Sequence, residues 1–435
     1  MQQIQIKTWL MLTSLIFAGN VSAKILPWKA QIPSALTEFN HDPQALASLT
    51  GERILIYAHP TQSIQLPTMP AGKKTTGKYY SASVVIPANV QQVSRLLLNY
   101  TNYAGLFPTL KSAKVVEQQG SISQVKYNIH IPTPIPVLNF RETVLMQHQA
   151  DANSISTLIL DAPVPYAAGK IEWFELAPNQ TLVTLTQWGD LSQPKGFLFS
   201  KILNAIPDAK LGIPAGTNAF LLESLQKRFK TSQAQPLGTS VFPTVGLDRN
   251  EQLKVAQLSQ NSQEPVSFVL TAKNVPYPHG TEKLRFSTSY QYYAHSPAQL
   301  QQWLTPNSYQ QLFPNQIKQV RVRKLDNKQM DASYKISVGL GVINIPFDFK
   351  MRFNYATDWQ NEFYANGGDL KFVRGGMQLT PMNQGTLLSV TSAMKIDQDA
   401  PFLLRAMRSM PYSDMLPALG GNTVFVLKVK QKAGA

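Results

Sequence analysis

The sequence predicts an α+β protein made of two tandem copies of one domain, each a curved antiparallel sheet with a long C-terminal helix. Three observations support this prediction. The pattern Tyr-x-x-Leu-Phe-Pro occurs at residues 103–108 and again at residues 309–314. The segments around the two copies follow the same order of strand, short helices, strands and final helix. Several of these segments alternate apolar and polar residues, which is typical of a sheet covered on one face.

The first 23 residues are predicted to be an export signal. Lys7 gives a positive start, residues 9–19 form an apolar stretch too short to span a bilayer as a helix, and residues 21–23 are small enough for cleavage. We therefore expect an exported protein of the periplasm, with secretion as the alternative. Removing residues 1–23 takes away one of 40 basic residues, so 39 bases against 25 acids leave a net charge of +14.

The composition narrows the classes of function. The chain contains no cysteine, which excludes disulfides, thiol nucleophiles and thiolate metal sites. Its basic residues are dispersed, and export would separate the protein from nucleic acid, so nucleic acid is not an expected partner. An anionic membrane surface suits a basic exported protein better, through transient contact.

The repeat also sets the predicted domain boundaries. Aligned from Tyr103 and Tyr309, five successive segments correspond in order, and an extra strand precedes each copy. The predicted domains are residues 51–230 and 264–435, and residues 24–50 form an N-terminal extension. Residues 231–263 are rich in Gln, Ser and Thr without a sustained period, so they are predicted to be a linker.

Alternation and proline positions define the elements within each copy. In "QVKYNIHI", Val125 and Tyr127 face one way while Lys126 faces the other, which predicts a strand with one buried face. Pro108 and Pro314 each end a short helix, because proline lacks the N–H and clashes with the preceding turn. The Tyr-x-x-Leu-Phe-Pro pattern is therefore interpreted as a feature of the fold and not as a site.

Two stretches of the first copy resemble the START-like, helix-grip superfamily, which includes polyketide cyclase and coenzyme-Q-binding families. They are "IPANVQQVSRLLLNYTNYAGLFPTLKSAKVVE" and "AAGKIEWFELAPNQTLVTLT", followed by the closing helix. The resemblance covers nearly all of residues 79–229 and is weaker in the second copy, where the Gly-rich residues 365–377 are predicted to form a longer loop. It implies two tandem helix-grip domains with a hydrophobic ligand under each long helix, and some members of the superfamily are cyclases or hydrolases.

One carboxylate stands out on an apolar strand face. Alternation in "VLNFRETVLM" places Glu142 beside Val144 and Met146, and the sequence alignment makes Met351 its counterpart. A buried carboxylate is costly unless it is paired or protonated. Two interpretations stay open: Glu142 anchors a ligand headgroup or acts as a general acid, or it belongs to a buried ion pair or a bulge turned to solvent.

Aromatic side chains are further candidates for a cavity lining, although each also suits an ordinary core. They are Tyr127, Phe140 and Trp173 in the first copy and Tyr334, Phe347, Phe349 and Phe353 in the second. Asp161 and Tyr166 lie in "LDAPVPYAAG", where a loop would border the cavity mouth.

A short apolar segment with isolated cations precedes each final helix. The segments are "GFLFSKILNAIP", with Phe197, Phe199 and Lys201, and "APFLLRAMRSMP", with Phe402, Leu403 and Arg405. A basic amphipathic segment at this position would suit a lid that opens at a lipid surface. Ordinary packing against the end of the sheet is the alternative interpretation.

These observations favour an exported protein that binds or carries a hydrophobic, lipid-like molecule. The sequence shows no nucleophile elbow, phosphate-binding loop or metal-ligand spacing among its six histidines, so no catalytic residue, metal or cofactor is predicted. A cyclase, dehydratase or hydrolase acting on a hydrophobic substrate is the first alternative. A protein-interaction module whose cavities are filled by side chains is the second.

Overall fold

The computed structural model describes residues 25–131, 140–192, 194–195, 204, 208–230, 233–278, 280–339 and 344–434. In the first copy the helices are α1 (Pro43–Thr50), α2 (Val90–Leu98), α3 (Tyr103–Leu106) and α4 (Ala209–Phe229). Its strands are β1 (Ile54–Ala58), β2 (Gln62–Ile64), β3 (Thr75–Gly77), β4 (Tyr80–Ile86), β5 (Leu110–Gln119), β6 (Ile122–Ile131), β7 (Phe140–Ala150), β8 (Ser154–Asp161), β9 (Ala167–Ala177) and β10 (Gln180–Gly189). The segments Ala35–Phe39 and Tyr100–Asn102 are single 3-10 turns.

The second copy repeats this order. After β11 (Gln235–Pro236) and α5 (Arg249–Ser262), its helices are α6 (Pro297–Leu300), α7 (Ser308–Leu312), α8 (Phe402–Ala406) and α9 (Leu416–Ala433), with 3-10 turns at Gln301–Leu304 and Met407–Ser409. Its strands are β12 (Val266–Val269), β13 (Lys273–Tyr277), β14 (Gly280–Leu284), β15 (Ser287–Tyr293), β16 (Ile317–Lys324), β17 (Gln329–Gly339), β18 (Asn344–Thr357), β19 (Gln360–Gly368), β20 (Phe372–Met382) and β21 (Gly385–Lys395). The predicted α+β architecture, with an antiparallel sheet and a long C-terminal helix in each copy, is confirmed.

The two copies share one sheet of 16 strands. Its order is β16-β17-β18-β19-β20-β21-β15-β12-β1-β4-β10-β9-β8-β7-β6-β5. The extra strand that precedes each copy forms the seam, because β1 pairs antiparallel with β12 and sets Leu55 opposite Phe268. Both residues are fully buried, so the seam lies within a hydrophobic core. The linkage is therefore a continuous backbone hydrogen-bond ladder and not a flexible hinge.

The long helices α4 and α9 are each fixed to the sheet by a buried asparagine. The Asn218 side-chain amide donates to the Tyr80 carbonyl at 3.2 Å and its oxygen accepts from the Gln187 amide at 3.0 Å. In the second copy, Asn422 donates to the Ser287 carbonyl at 2.9 Å and accepts from the Ser392 hydroxyl at 2.6 Å. A buried amide is tolerated only when its hydrogen bonds are satisfied, so these bonds specify how each helix lies on its sheet.

The linker and the N-terminal extension form ordered structure on the other face of the central strands. Helix α5 lies within residues 231–263, where no helix is predicted, and it begins with a capping box between Asp248 and Glu251. Its buried Val255 and Leu258 join a core cluster with Leu46 of α1 in the extension. The sequence predicts a linker at residues 231–263 without this helix, because only one narrow face of α5 is apolar.

The Gly-rich residues 365–377 also differ from the prediction of a long loop. They form the end of β19 and the start of β20, separated by a short connection. Gly375 and Gly376 lie where an added Cβ would come within 2.2 Å of the Thr391 carbonyl oxygen and 2.1 Å of the Phe242 ring. Glycine is therefore needed there for close packing of the strand and not for loop flexibility. In the part of the chain described, no helix is long and apolar enough to cross a membrane.

A buried ion pair joins the two copies. Arg285, just before β15, donates from its two terminal nitrogens to the Glu223 carboxylate of α4 at 2.5 and 2.6 Å. Lys227, one turn further along α4, lies 3.4 Å from the same carboxylate. Both members of the Arg285–Glu223 pair are buried, so removing Glu223 would leave the charge of Arg285 uncompensated in the interior.

We predict that Glu223→Ala lowers the free energy of unfolding by about 3–5 kcal/mol, because Arg285 stays buried without its partner. The double variant Glu223→Leu/Arg285→Met should recover most of this loss. Urea unfolding of each variant provides the measurement. Glu52→Ala is the matched control, because Glu52 forms an exposed pair with Lys230, and it should cause no measurable loss. Equal effects of Glu223→Ala and Glu52→Ala would contradict the prediction.

Candidate ligand-binding cavity

A cavity of about 720 Å³ lies between the sheet of the first copy and the two long helices. Its floor is the concave face of β6 to β10, and α4 and α9 cover it. Most lining side chains are apolar, so the cavity favours an apolar occupant. The apolar and aromatic lining residues include Phe107, Leu110, Ile129, Met146, Ile159, Ile171, Leu185, Trp188, Ile213, Phe220 and Leu221.

The second copy provides part of the wall of this cavity. Leu416, Gly420 and Val424 of α9 line it together with Gly212 and Gly216 of α4. A Cβ added at Gly212 would meet the Gly420 Cα at 3.4 Å, so the two helix backbones approach closely at this point. Glycine on both helices permits this approach, and the first cavity is complete only when the second copy is docked.

A polar cluster crosses the floor of the cavity on three neighbouring strands. The Tyr127 hydroxyl of β6 lies 2.8 Å from His148 Nε2 of β7, and His148 Nδ1 lies 2.8 Å from the Thr157 hydroxyl of β8. His148 and Thr157 are directly opposite in the β7–β8 register, which explains their contact. The Tyr100 ring stacks on His148 with centroids 4.5 Å apart. We call Tyr127, His148 and Thr157 the Tyr–His–Thr chain.

Burial keeps this cluster uncharged at neutral pH. Desolvation lowers the pKa of His148 to about 3, so its imidazole is neutral. Burial also raises the pKa of Tyr127 and Tyr103 well above the usual range and that of Tyr100 to about 12. These four groups therefore present hydroxyl and imidazole hydrogen-bonding atoms without a formal charge.

The candidates predicted in the first copy have different locations. Tyr127 lines the cavity, whereas Trp173 is buried in the packed core of the same copy. Asp161 is exposed at the surface 3.9 Å from Lys195, and Tyr166 packs in a separate apolar cluster with Ile64. The side chain of Phe140 lies outside the described residues, as do Phe197, Phe199 and Lys201.

Glu142 is half-buried on the same face of β7 as Val144 and Met146. Its counterpart is not Met351 as aligned from sequence. Tyr103 stacks on Tyr127 and Tyr309 packs on Tyr334, so these pairs are equivalent. Tyr127 is opposite Val144 in the β6–β7 ladder, and Tyr334 is opposite Phe349 in the β17–β18 ladder, so Val144 and Phe349 are equivalent positions. Counting along β7 and β18 from these two residues, the equivalent positions are Glu142 and Phe347, Met146 and Met351, and His148 and Phe353. The sequence alignment is wrong by four residues in this strand.

The candidates predicted in the second copy pack against one another. Tyr334 and Phe349 have ring centroids 6.3 Å apart, and Tyr309 lies 6.1 Å from Phe353. The Tyr334 hydroxyl donates to the Pro306 carbonyl at 3.0 Å, and Phe347 packs on the same cluster. Aromatic side chains therefore occupy the concave face of this copy at positions where the first copy has Val144 and His148.

The segment before α9 places one aromatic side chain in solvent. Phe402 at the start of α8 is 64% exposed, whereas Leu404 is buried against the core of the second copy. Arg405 and Arg408 are exposed, and Arg405 donates to the Gln398 carbonyl at 3.1 Å. The side chain of Leu403 lies outside the described residues. Among the described side chains of this segment, Ala400 and Leu404 are therefore buried in the core of the second copy, while Phe402 is in solvent near two cations.

Sequence reasoning missed two contributors to the cavity. His148 lies on the same face as Glu142, Val144 and Met146, so extending the alternation of β7 by one step would have identified it. Tyr103 and Phe107 of the Tyr-x-x-Leu-Phe-Pro pattern also line the cavity, and α3 ends within this pattern as predicted. Among the described residues, no group of three or more His, Asp or Glu side chains is placed to hold a metal ion.

In each copy an antiparallel sheet carries a long C-terminal helix, which is the arrangement that the resemblance to the START-like, helix-grip superfamily predicts. No family model matches the sequence, and no curated protein matches it. Similar solved structures include the di-domain ARO/CYC StfQ from the steffimycin biosynthetic pathway, with 11% identity and a TM-score of 0.25 over 82% of this chain and 99% of that chain. The di-domain ARO/CYC BexL from the BE-7585A biosynthetic pathway has 10% identity and a TM-score of 0.26 over the same shares.

Single-domain structures match one copy only. A START superfamily protein from Mycobacterium smegmatis has 17% identity and a TM-score of 0.28 over 35% of this chain and 97% of that chain. At such identities and TM-scores these likenesses carry no argument about activity. The assignment of the fold rests on the strand order and the two long helices, and any function must come from the cavity itself.

We predict that His148→Gln reduces the loss of stability in acid. The pKa of a histidine in the unfolded chain is about 6.5, whereas the pKa of folded His148 is about 3. Between these pH values the unfolded state binds more protons than the folded state. The free energy of unfolding therefore falls as the pH falls through this range. From pH 7 to pH 5 the wild type should lose about 2 kcal/mol more unfolding free energy than the variant. Urea unfolding at both pH values measures this difference, and parallel losses would contradict it.

Proposed function

We propose that the protein binds one apolar small molecule in the cavity of the first copy and carries it between partners. The observation that supports this proposal is the apolar cavity of about 720 Å³, closed above by α4 and α9. Small-molecule pockets are typically about 300–1,000 Å³, mostly apolar, with a few polar groups that orient the ligand. The Tyr–His–Thr chain supplies such groups here.

The second copy has a different role in this proposal. Its concave face carries packed aromatic side chains, including Tyr334, Phe349 and Phe353. Its helix α9 lines the cavity of the first copy through Leu416 and Val424. We therefore assign the second copy to completing and supporting the binding site, with one ligand per chain. The alternative of a protein-interaction module whose cavity is filled by side chains is thereby applied to the second copy only.

The chemistry of the cavity favours binding over catalysis. A general base works best when its pKa is near the working pH. The pKa of His148 is lowered to about 3 by burial, so it accepts a proton poorly at neutral pH. The hydroxyl of Tyr127, whose pKa is raised by burial, gives up its proton just as poorly. Hydrogen bonding to a ligand requires neither transfer.

Export and transient membrane contact complete the proposal. The apolar N-terminal residues 9–19 and the small residues after them support export to the periplasm. The exposed Phe402, beside Arg405 and Arg408, supports docking on an anionic lipid surface, since aromatic rings enter the interface while cations bind headgroups. Contact at this segment would bring lipid near α9, which lines the cavity.

We predict that Gly216→Leu abolishes binding of a neutral apolar probe such as N-phenyl-1-naphthylamine. A Cβ at Gly216 has room, with its nearest neighbour the Leu416 side chain at 3.9 Å, and the longer side chain would project into the cavity and obstruct it. Fluorescence titration with native mass spectrometry would measure affinity and stoichiometry. Gly421→Leu is the matched control on the exposed side of α9 and should keep one probe per chain. Equal binding by both variants would count against this cavity.

We also predict that Phe402→Asp weakens binding to vesicles of equal parts phosphatidylcholine and phosphatidylglycerol by about tenfold or more. Burying a phenylalanine side chain in an apolar phase is worth about 1.5–3 kcal/mol, and the new carboxylate is repelled by anionic lipid. Vesicle co-sedimentation at low salt is the measurement. Trp359→Ala serves as control, because Trp359 is an exposed aromatic at the β18–β19 turn. A similar loss in the control would indicate non-specific adsorption.

A further inference from the structure

The wall of the cavity offers a ligand no free countercharge among the described residues. Lys170 is the one lysine, arginine or carboxylate residue among the described lining residues. Its ammonium lies 3.0 Å from the Glu172 carboxylate. That carboxylate also accepts from the Ser34 hydroxyl at 2.9 Å and from the Ala35 amide at 3.2 Å, so it is fixed in place. The charge of Lys170 is therefore already compensated.

The Tyr–His–Thr chain leaves one hydroxyl hydrogen for an occupant. A neutral imidazole has one donor and one acceptor nitrogen. If Tyr127 donates to Nε2, then Nδ1–H donates to Thr157, and the Thr157 hydrogen is not used within the chain. If Thr157 donates to Nδ1, then Nε2–H donates to Tyr127, and the Tyr127 hydrogen is left instead. Tyr127 and Thr157 both line the cavity, so either arrangement presents one donor at its wall.

The second copy differs from the first at two positions of the Tyr–His–Thr chain. The position equivalent to Tyr127 is Tyr334, and its hydroxyl is already used by the Pro306 carbonyl. The position equivalent to His148 is Phe353, which is fully buried in the aromatic cluster. Among the described residues, the positions equivalent to Tyr127 and His148 in the second copy do not form this chain, and the cavity of about 720 Å³ lies in the copy that has it. This coincidence indicates that the Tyr–His–Thr chain serves an occupant and not the fold.

We infer that the cavity selects neutral apolar molecules that carry a carbonyl or hydroxyl oxygen, which accepts a hydrogen bond from Tyr127 or Thr157. This inference rests on the proposed function. A carboxylate or ammonium group would lose its hydration without gaining a countercharge, which is far more costly than burying a hydrogen-bonded carbonyl. A pure alkane would leave the hydroxyl donor without a partner.

The test is displacement of N-phenyl-1-naphthylamine from the full chain at neutral pH by four probes of equal length: 2-dodecanone, dodecane, dodecanoate and dodecylammonium. We expect 2-dodecanone to bind about threefold to tenfold tighter than dodecane, as for one hydrogen bond, and at least tenfold tighter than either ion. Because either residue can hold the free hydrogen, Tyr127→Phe/Thr157→Val should narrow the difference between ketone and alkane. Tyr334→Phe removes the equivalent hydroxyl in the second copy and should leave it unchanged.

A spectroscopic measurement makes the test independent of how well the variants fold. The carbonyl stretch of 2-dodecanone bound to the wild type should lie at lower frequency than in alkane solvent, as expected for a hydrogen-bonded carbonyl. Equal affinity for the ions and the ketone, or an unshifted carbonyl stretch, would overturn the selectivity and leave the binding function standing. Failure of all four probes and of N-phenyl-1-naphthylamine to bind would overturn the proposed function itself.

Discussion

Pairing of β1 with β12 is the constraint on which the rest of the structure depends. Because these strands join the two copies in one antiparallel ladder, both sheets curve as a single surface and both long helices lie on the same side of it. Helices α4 and α9 then meet at Gly212 and Gly420, and α9 becomes a wall of the first cavity. Among the described residues, the duplicated fold thereby builds this cavity from parts of both copies.

The two copies share one fold but differ in the side chains on the concave faces of their strands. The long helix is attached in the same way in both, through Asn218 and Asn422, so the frame is retained. The differences lie on the concave strand faces, where Val144 and His148 of the first copy correspond to Phe349 and Phe353 of the second. Replacing a small and a polar side chain by two aromatic rings fills the space that a ligand would occupy, and it removes the hydrogen-bonding relay.

The sequence predicts the parts of this structure that depend on local chemistry. These local signals are strand alternation, the helix ends before Pro108 and Pro314, and the order of elements. They predict the repeat, the fold and the buried strand face on which Tyr127 lies. The contribution of α9 to the first cavity is set by the β1–β12 seam, which brings distant segments together and leaves no periodic pattern in the chain. The contact between His148 and Thr157 depends on the register of β7 against β8, which the alternation within each strand does not specify.

Mass spectrometry of organic extracts from the full chain, purified from its native source, tests the central claim most directly. The account predicts one apolar, neutral, oxygen-bearing molecule per chain in the wild type. It also predicts that this molecule is absent when Gly216→Leu obstructs the cavity between the sheet of the first copy and the helices α4 and α9. An empty wild-type protein, or two equivalents of ligand per chain, would contradict a single composite site.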